Sequence, residues 1–240
     1  MDNTLISTLP AASLQSVIAY YWLGYQNTDS HYTIWPDSSV DIVLELGHAP
    51  PQITAFGTTN RKTELSLTLG NHYLGIRFKP GKIHYLLDLP AHELTNQQPA
   101  IQDLVELDLA LIAEAIENQT VFQTLNQCLA KSCSHHSALN ALDAAIVKIE
   151  TCFGACSINT VAAEVNKSLR QFERQFQQYV GLSAKQFAAI TRFRRAAQLI
   201  QQGRLSLAEI AAELHYSDQS HLHHEFKRFT GLTPTQFHLN

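Results

Sequence analysis

The spacing of apolar residues changes halfway along the chain. In the front half, short apolar runs alternate with polar positions and are broken by turn residues. Residues 20–25, 32–35, 40–46, 53–57, 64–69 and 73–79 have the length and the aromatic and β-branched content of strands. Pro36-Asp37-Ser38-Ser39, the loop 47–51 and Pro80-Gly81 supply turn chemistry between them. Residues 11–19 are expected to form a short entry helix, 82–87 a helical turn, and 101–117 and 119–130 two trailing helices. In the first of these, Leu104, Leu107, Leu111, Ala115 and Ile116 fall on one face. The fold class this predicts is α+β with two domains: a β-rich sandwich or barrel with trailing helices over residues 1–130, then an all-α region.

In the rear half the period becomes three to four. Leu139, Leu142, Ile146, Ile149 and Phe153 define a helix over 138–153 that Gly154 ends. The chain then repeats itself. Val161-Ala162-Ala163-Glu164-Val165 returns 49 residues later as Ile210-Ala211-Ala212-Glu213-Leu214. At an offset of 50, Phe172 maps to Leu222, Phe176 to Phe226, and Gly181-Leu182-Ser183 to Gly231-Leu232-Thr233. A short Ala-rich helix, a tight turn, a second helix and a Gly stop describe a helix-turn-helix, here in two copies at about 158–180 and 206–230. Ser168/Gln171, Ser183/Gln186 and Ser206/Glu209 have capping-box spacing, and Asp218 is placed to cap the last long helix. The helix between the copies has about 20 residues, or ~30 Å, close to the ~34 Å between successive major-groove faces. Residues 131–137, small and polar, are expected to be a linker, leaving 138–240 as the second domain.

Composition separates the halves further. The net charge of −4 divides into 6 Lys+Arg against 13 Asp+Glu over residues 1–137 and 11 against 8 over 138–240. A basic rear behind an acidic front fits two regions with different partners. No apolar run approaches the length of a bilayer span, and residues 1–4 hold no basic stretch ahead of an apolar one, so a cytoplasmic location is expected. The four cysteines, Cys128, Cys133, Cys152 and Cys156, are then expected to be reduced and buried in helical packing; a thiol pair or zinc set is the alternative.

These patterns restrict the chemistry. There is no Gly-rich phosphate loop, no Gly-x-Ser-x-Gly elbow and no paired His spacing among His31, His48, His72 and His84, so no enzyme, cofactor or metal is expected. A recognition helix needs an apolar face for its own domain and long polar side chains for base edges. Arg170, Gln171 and Arg174 meet that need in the first copy, and Gln219, Ser220, His221 and His224 in the second. Arg192, Arg194 and Arg195 on the long helix and Lys227 suit phosphates. In the front half, Trp22, Trp35, Tyr73 and Arg77 are candidate effector contacts. Arg77 shares a strand face with Tyr73 and Gly75 and either clamps an anionic effector or pairs with Asp37 or Asp41.

With these residues in view, 138–238 resembles the DNA-binding domain of the AraC/XylS family of bacterial transcription regulators. The resemblance is carried by 158–165, Ser168 to Phe176, Val180-Gly181-Leu182-Ser183, 210–214 and the tail Phe226-Lys227-Arg228-Phe229-Thr230-Gly231-Leu232-Thr233-Pro234-Thr235-Gln236-Phe237. The front half resembles a cupin-like sensor domain that precedes some members, through Trp35-Pro36-Asp37, Asp41 and Gly75-Ile76-Arg77-Phe78-Lys79-Pro80-Gly81. The resemblance implies a sequence-specific regulator with recognition helices in two adjacent major grooves. Its expected partners are double-stranded DNA, a small-molecule effector and RNA polymerase, with no membrane, acting as monomer or homodimer. The alternative is the same DNA-binding module behind a catalytic or thiol/metal-sensing front.

Three positions depart from the family pattern. His215 stands for the usual turn Gly, His224 for an Arg inside the second recognition helix, and His238 for a basic residue after the last aromatic. Histidine, with an ordinary pKa of ~6.5, is mostly neutral at pH 7.5. The second reading head is therefore expected to contribute less than the first and to gain affinity as the pH falls towards about 6. DNA affinity measured against pH for wild type and His224→Ala checks this; identical profiles would exclude His224.

Overall fold

The front half is built on one antiparallel sheet of five strands, β1 (Leu5–Thr8), β2 (Ile18–Tyr25), β7 (His72–Phe78), β4 (Val40–Leu46) and β5 (Gln52–Phe56), in that spatial order. Strands β3 (Ser30–Ile34) and β6 (Thr63–Leu67) pair with each other as a separate ribbon. The computed structural model describes residues 5–26, 30–47, 50–133 and 140–238. Residues 1–4 and His48, both weighed in the sequence, lie outside them.

Alternation along the central strands sends two different chemistries to the two faces. Leu74, Ile76 and Phe78 of β7, with Ile42, Leu44 and Leu46 of β4, are almost fully buried on one face. There they join Ile112 of α1 (Leu109–Glu117) and Leu125, Leu129 and Cys133 of α2 (Val121–Cys133) in one core. Each such side chain contributes ~1.5–3 kcal/mol by leaving water. A register shift between Ile18 and Tyr20 lets both Ile18 and Tyr21 reach this core. The other face carries Tyr20, Trp22, Tyr73, Arg77, Asp41 and Glu45 and forms the floor of a cavity.

The rear half is helical: α3 (Ala141–Thr151), α4 (Ile158–Glu164), α5 (Leu169–Val180), α6 (Ala184–Gln202), α7 (Leu207–Glu213), α8 (Gln219–Thr230) and α9 (Pro234–His238). All three expected capping boxes form, and Gly181, Gly203 and Gly231 stop their helices in the left-handed conformation. Helix α6 belongs to both copies of the repeat. Its Ala184, Phe187 and Ala188 complete a core with α3, α4 and α5, and Ile190, Phe193, Ala196, Leu199 and Ile200 complete another with α7, α8 and α9. It is the spine on which both helix-turn-helix units are mounted.

Several expectations are corrected. Residues 11–19 form only a 3-10 turn, Ala12–Leu14, because Ile18 already belongs to β2, where pairing with β7 prevails over helix propensity. Strand β1, not anticipated, is an edge strand with Leu5 and Ile6 largely exposed. The helix expected from 101 starts at Leu109 under an Asp108 cap, because the backbone N–H of Ile101 is taken by the Ile53 carbonyl. Leu104 and Leu111 are exposed, and Ile112 and Ala115 are the buried positions. The first residues of the expected linker continue α2, because Cys133 extends the Leu125–Leu129 stripe into the core; residues 134–139 lie outside the described residues. Cys152 and Cys156, expected as separate reduced thiols, are joined in a disulfide. Phe153 and Gly154, both left-handed, turn the chain back and bring the two Cα atoms to 5.9 Å. Cys133 is free and buried, and Cys128 is free and half-buried.

Candidate nucleic-acid interface and ligand cavity

Helices α5 and α8 each anchor one face and expose the other. Phe172 and Phe176 hold α5 in its core, leaving Arg170, Gln171 and Arg174 exposed on the outside. Leu222, Phe226 and Phe229 do the same for α8, with Gln219, Ser220, His224 and Lys227 exposed. Both copies make their turn through a left-handed non-glycine residue, Asn166 and His215. Two candidate readers are partly committed. Gln171 Oε1 accepts from the Ser168 backbone N–H at 3.2 Å and from its hydroxyl at 2.9 Å, so its amide oxygen serves the cap. His221 is half-buried, with Nδ1 3.3 Å from Ser217 Oγ and its ring edge-on to Tyr216.

Two of the three α6 arginines expected at phosphates, Arg192 and Arg194, are paired within the fold. Arg192 is held by Glu225 through two bonds, Nη2 to Oε2 at 2.9 Å and Nε to Oε1 at 3.3 Å, with its guanidinium over the Tyr216 ring. The Tyr216 hydroxyl donates to the same Glu225 at 2.6 Å, and burial pushes that hydroxyl far above its ordinary range, with the Glu225 charge adding to it. Arg192 therefore braces α8 against the spine from inside the fold. Glu225 was missed in the sequence; a carboxylate beside Phe226 on the inward face of α8 was the available signal. Arg195 lies over the Phe153 ring, with its Nε buried. Arg194 reaches across to the front half and pairs with Asp37 at 2.6 Å.

That last contact closes one end of a cavity of about 690 Å³. All four candidate effector residues, Trp22, Trp35, Tyr73 and Arg77, line it. Its floor is three cross-strand rows of the sheet: Tyr20–Arg77–Asp41–Phe56, Trp22–Gly75–Val43–Thr54 and Gly24–Tyr73–Glu45. The β3–β6 ribbon contributes Tyr32, Leu65 and Leu67, and the rear half contributes Phe193, Arg194 and Ala197 of α6 with Phe237 of α9. Gly75 is required where it stands. A Cβ there would lie 1.9 Å from Trp22 Cε2, so its absence lets the indole lie across the strand.

The ion-pair alternative for Arg77 is realised. Its Nη1 is 2.7 Å from Asp41 Oδ2 and its Nη2 bonds Asp37 Oδ2, while Trp22 Nε1 donates to Asp41 Oδ1 at 3.3 Å. Burial alone would raise the Asp37 carboxyl, but Arg77 and Arg194 outweigh it and hold the group below its ordinary value. Asp41 has the opposite fate. Burial raises it, Arg77 only partly offsets this, and the Asp37 charge adds to the rise. At the far end of the floor, Glu45 Oε1 accepts from the Tyr73 hydroxyl at 2.9 Å and from Asn71 Nδ2 at 2.7 Å.

The front half touches both helical cores of the rear half as well as the spine. Thr95 Oγ1 donates to the Gly181 carbonyl at 2.6 Å at the end of α5, and His84 packs edge-on to Tyr179. Lys82 pairs with Asp143 of α3 at 2.6 Å, and Trp35 packs edge-on against Phe237 of α9 with centroids 5.2 Å apart.

Comparison with known proteins bears on both halves. Residues 161–239 match a helix-turn-helix domain, and residues 7–100 match a domain of unknown function, DUF6597. An uncharacterized HTH-type transcriptional regulator of Haemophilus influenzae is 27% identical over 188 residues, covering 72% of this chain and 62% of that protein. The HTH-type transcriptional activator RhaR of Escherichia coli is 35% identical over 78 residues, 32% of this chain and 28% of that one. The chain thus spans less than two thirds of the length of these curated relatives. A solved AraC-type regulator structure from Chromobacterium violaceum aligns with 41% of this chain and 89% of its own at 28% identity and a TM-score of 0.39. Residues 161–239 are thus a helix-turn-helix domain, and a DUF6597 domain precedes it.

Proposed function

We propose that this chain is a sequence-specific DNA-binding transcription regulator controlled by a small molecule held in the front half. The observation that carries the coupling is the shared wall of the cavity: Phe193 and Arg194, from the spine between the two reading heads, face the same space as Trp22 and Arg77. A molecule in that space touches the element that spaces the heads, so its binding energy can differ between two arrangements of them, which is the requirement for control.

In this reading Arg170 and Arg174 of α5 contact bases or phosphates in one major groove, and Gln219, Ser220 and His224 of α8 do so in the next, with Lys227 on the backbone. Gln171 and His221, each tied to its own helix start, fine-tune rather than lead. Arg192 drops out of the contact set and Arg195 remains a candidate phosphate contact. The first head dominates affinity because it carries Arg170 and Arg174, both exposed, whereas the exposed arginine of α8, Arg228, pairs with Glu225 at 3.8 Å. RNA polymerase is a further partner in this reading, which the description of one relative as a transcriptional activator supports. Selection of bound sequences from random duplexes tests the function. The expected result is an enriched motif of two half-sites about 10 base pairs apart, centre to centre. Recovery of unenriched sequence would sink the proposal.

A further inference from the structure

The charge arrangement in the cavity points to the class of molecule it takes, an inference that rests on the cavity being the effector site. Its lining holds three carboxylates, Asp37, Asp41 and Glu45, and two guanidiniums, Arg77 and Arg194. The guanidiniums are matched already. Arg77 bonds both Asp37 and Asp41, and Arg194 bonds Asp37. An anion arriving at Arg77 competes with Asp37, which two cations hold, or with Asp41, which Arg77 alone holds, and would leave that carboxylate short of a partner.

Glu45 is the carboxylate left over. Its two hydrogen bonds come from neutral donors, Tyr73 and Asn71, and no Lys or Arg pairs with it among the described residues. The Tyr73 phenol is itself fixed by the Thr68 backbone N–H at 2.9 Å, so the carboxylate is positioned in advance. Gly24 occupies the row position on the other side of Tyr73, where the Leu5 side chain of β1 adds an apolar wall. Four residues of strand separate Glu45 from Asp41, about 13 Å. Between them the floor is Val43 and the Trp22 indole lying across Gly75. One end of the cavity is thus a neutralised ion cluster, the middle is apolar and aromatic, and the other end is an uncompensated carboxylate beside the Tyr73 ring. A cation is stabilised by both the carboxylate and the rings.

We propose that the cavity selects an organic cation: an amine whose ammonium head sits against Glu45 and whose aryl or alkyl body lies along Trp22 and Val43 towards the Arg77 cluster. Calorimetric titration of the full chain with 4-phenylbutylamine, 4-phenylbutanol and 4-phenylbutyrate tests it. The three share a body and differ in the charge of the head. The amine is expected to bind about tenfold or more tighter than either of the others. Glu45→Gln, whose amide oxygen can still accept from Tyr73 and Asn71, is expected to reduce amine binding to the level of the alcohol; thermal unfolding of the variant verifies that it is folded. Tightest binding by the butyrate, or amine binding unchanged in Glu45→Gln, overturns the cationic class and leaves the cavity as an effector site. Failure of all three to bind a folded chain overturns the cationic class but not the effector reading, because the three share one body. Sequence-selective DNA binding, measured on the same preparation, is judged separately.

Discussion

Arg77→Ala is expected to destabilise the folded chain by ~3–5 kcal/mol, read as a lower urea midpoint at pH 7. The guanidinium is only 15% exposed and bonds two carboxylates that are equally enclosed, at 15% and 17%. Removing it leaves Asp41 with a single neutral donor, Trp22, and leaves Asp37 with Arg194 and the Ser39 backbone N–H. An enclosed carboxylate without its cation loses far more than the bond itself, because its lost hydration is no longer offset. Arg77→Lys, with one compact charge for two acceptors, should fall between the alanine variant and wild type. The pH dependence identifies the cause. Asp41 is already raised by burial, and losing Arg77 raises it further. Its folded pKa then lies above its unfolded one, so the folded variant takes up a proton first. The deficit is therefore largest above that raised value and shrinks as the pH falls through it. A loss below about 1 kcal/mol, or one equal at pH 7 and pH 5, would show that the cluster does not hold the sheet face together.

Arg174→Ala is expected to cost ~1–3 kcal/mol of binding to a selected operator, about 5- to 150-fold, with much less effect on random duplex. Arg174 is exposed on the face of α5 opposite Phe172 and Phe176, and no salt bridge to a described residue holds it. A bidentate contact to a base edge discriminates; a contact to phosphate does not. Lys227→Ala supplies the contrast, weakening operator and random duplex alike and lowering the salt slope by about 1. Fluorescence anisotropy at two salt concentrations separates the two behaviours. If Arg174→Ala leaves the ratio of operator to random affinity intact, base reading belongs to another residue.

How much of this could be read beforehand depended on distance along the chain. The helical half was legible because its determinants are local: Ser183 and Gln186 are three residues apart, and Phe172 and Phe176 four. The face of β7 bearing Tyr73, Gly75 and Arg77 was legible from alternation alone, as were both candidate partners of Arg77. The errors lie where remote contacts decide. The start of α1 was misjudged because the Ile101 N–H goes to Ile53, and the entry helix because Ile18 pairs with Phe78. Arg194 was assigned to phosphate because nothing in the sequence tells that Asp37, 157 positions earlier, meets it. The cavity position of Glu45 depends on the register of β4 with β7, a pairing between segments about 30 positions apart.

The front half grips the rear at the end of α5 through Thr95, on the spine through Asp37, and at α9 through Trp35. Lys82 adds a fourth attachment, to Asp143 of α3. Three attachments are enough to fix one body against another, as the legs of a tripod do. A molecule that disturbs only the Asp37 attachment would therefore leave the two halves fixed at their ends and strain the spine between them, rather than swing the heads as one.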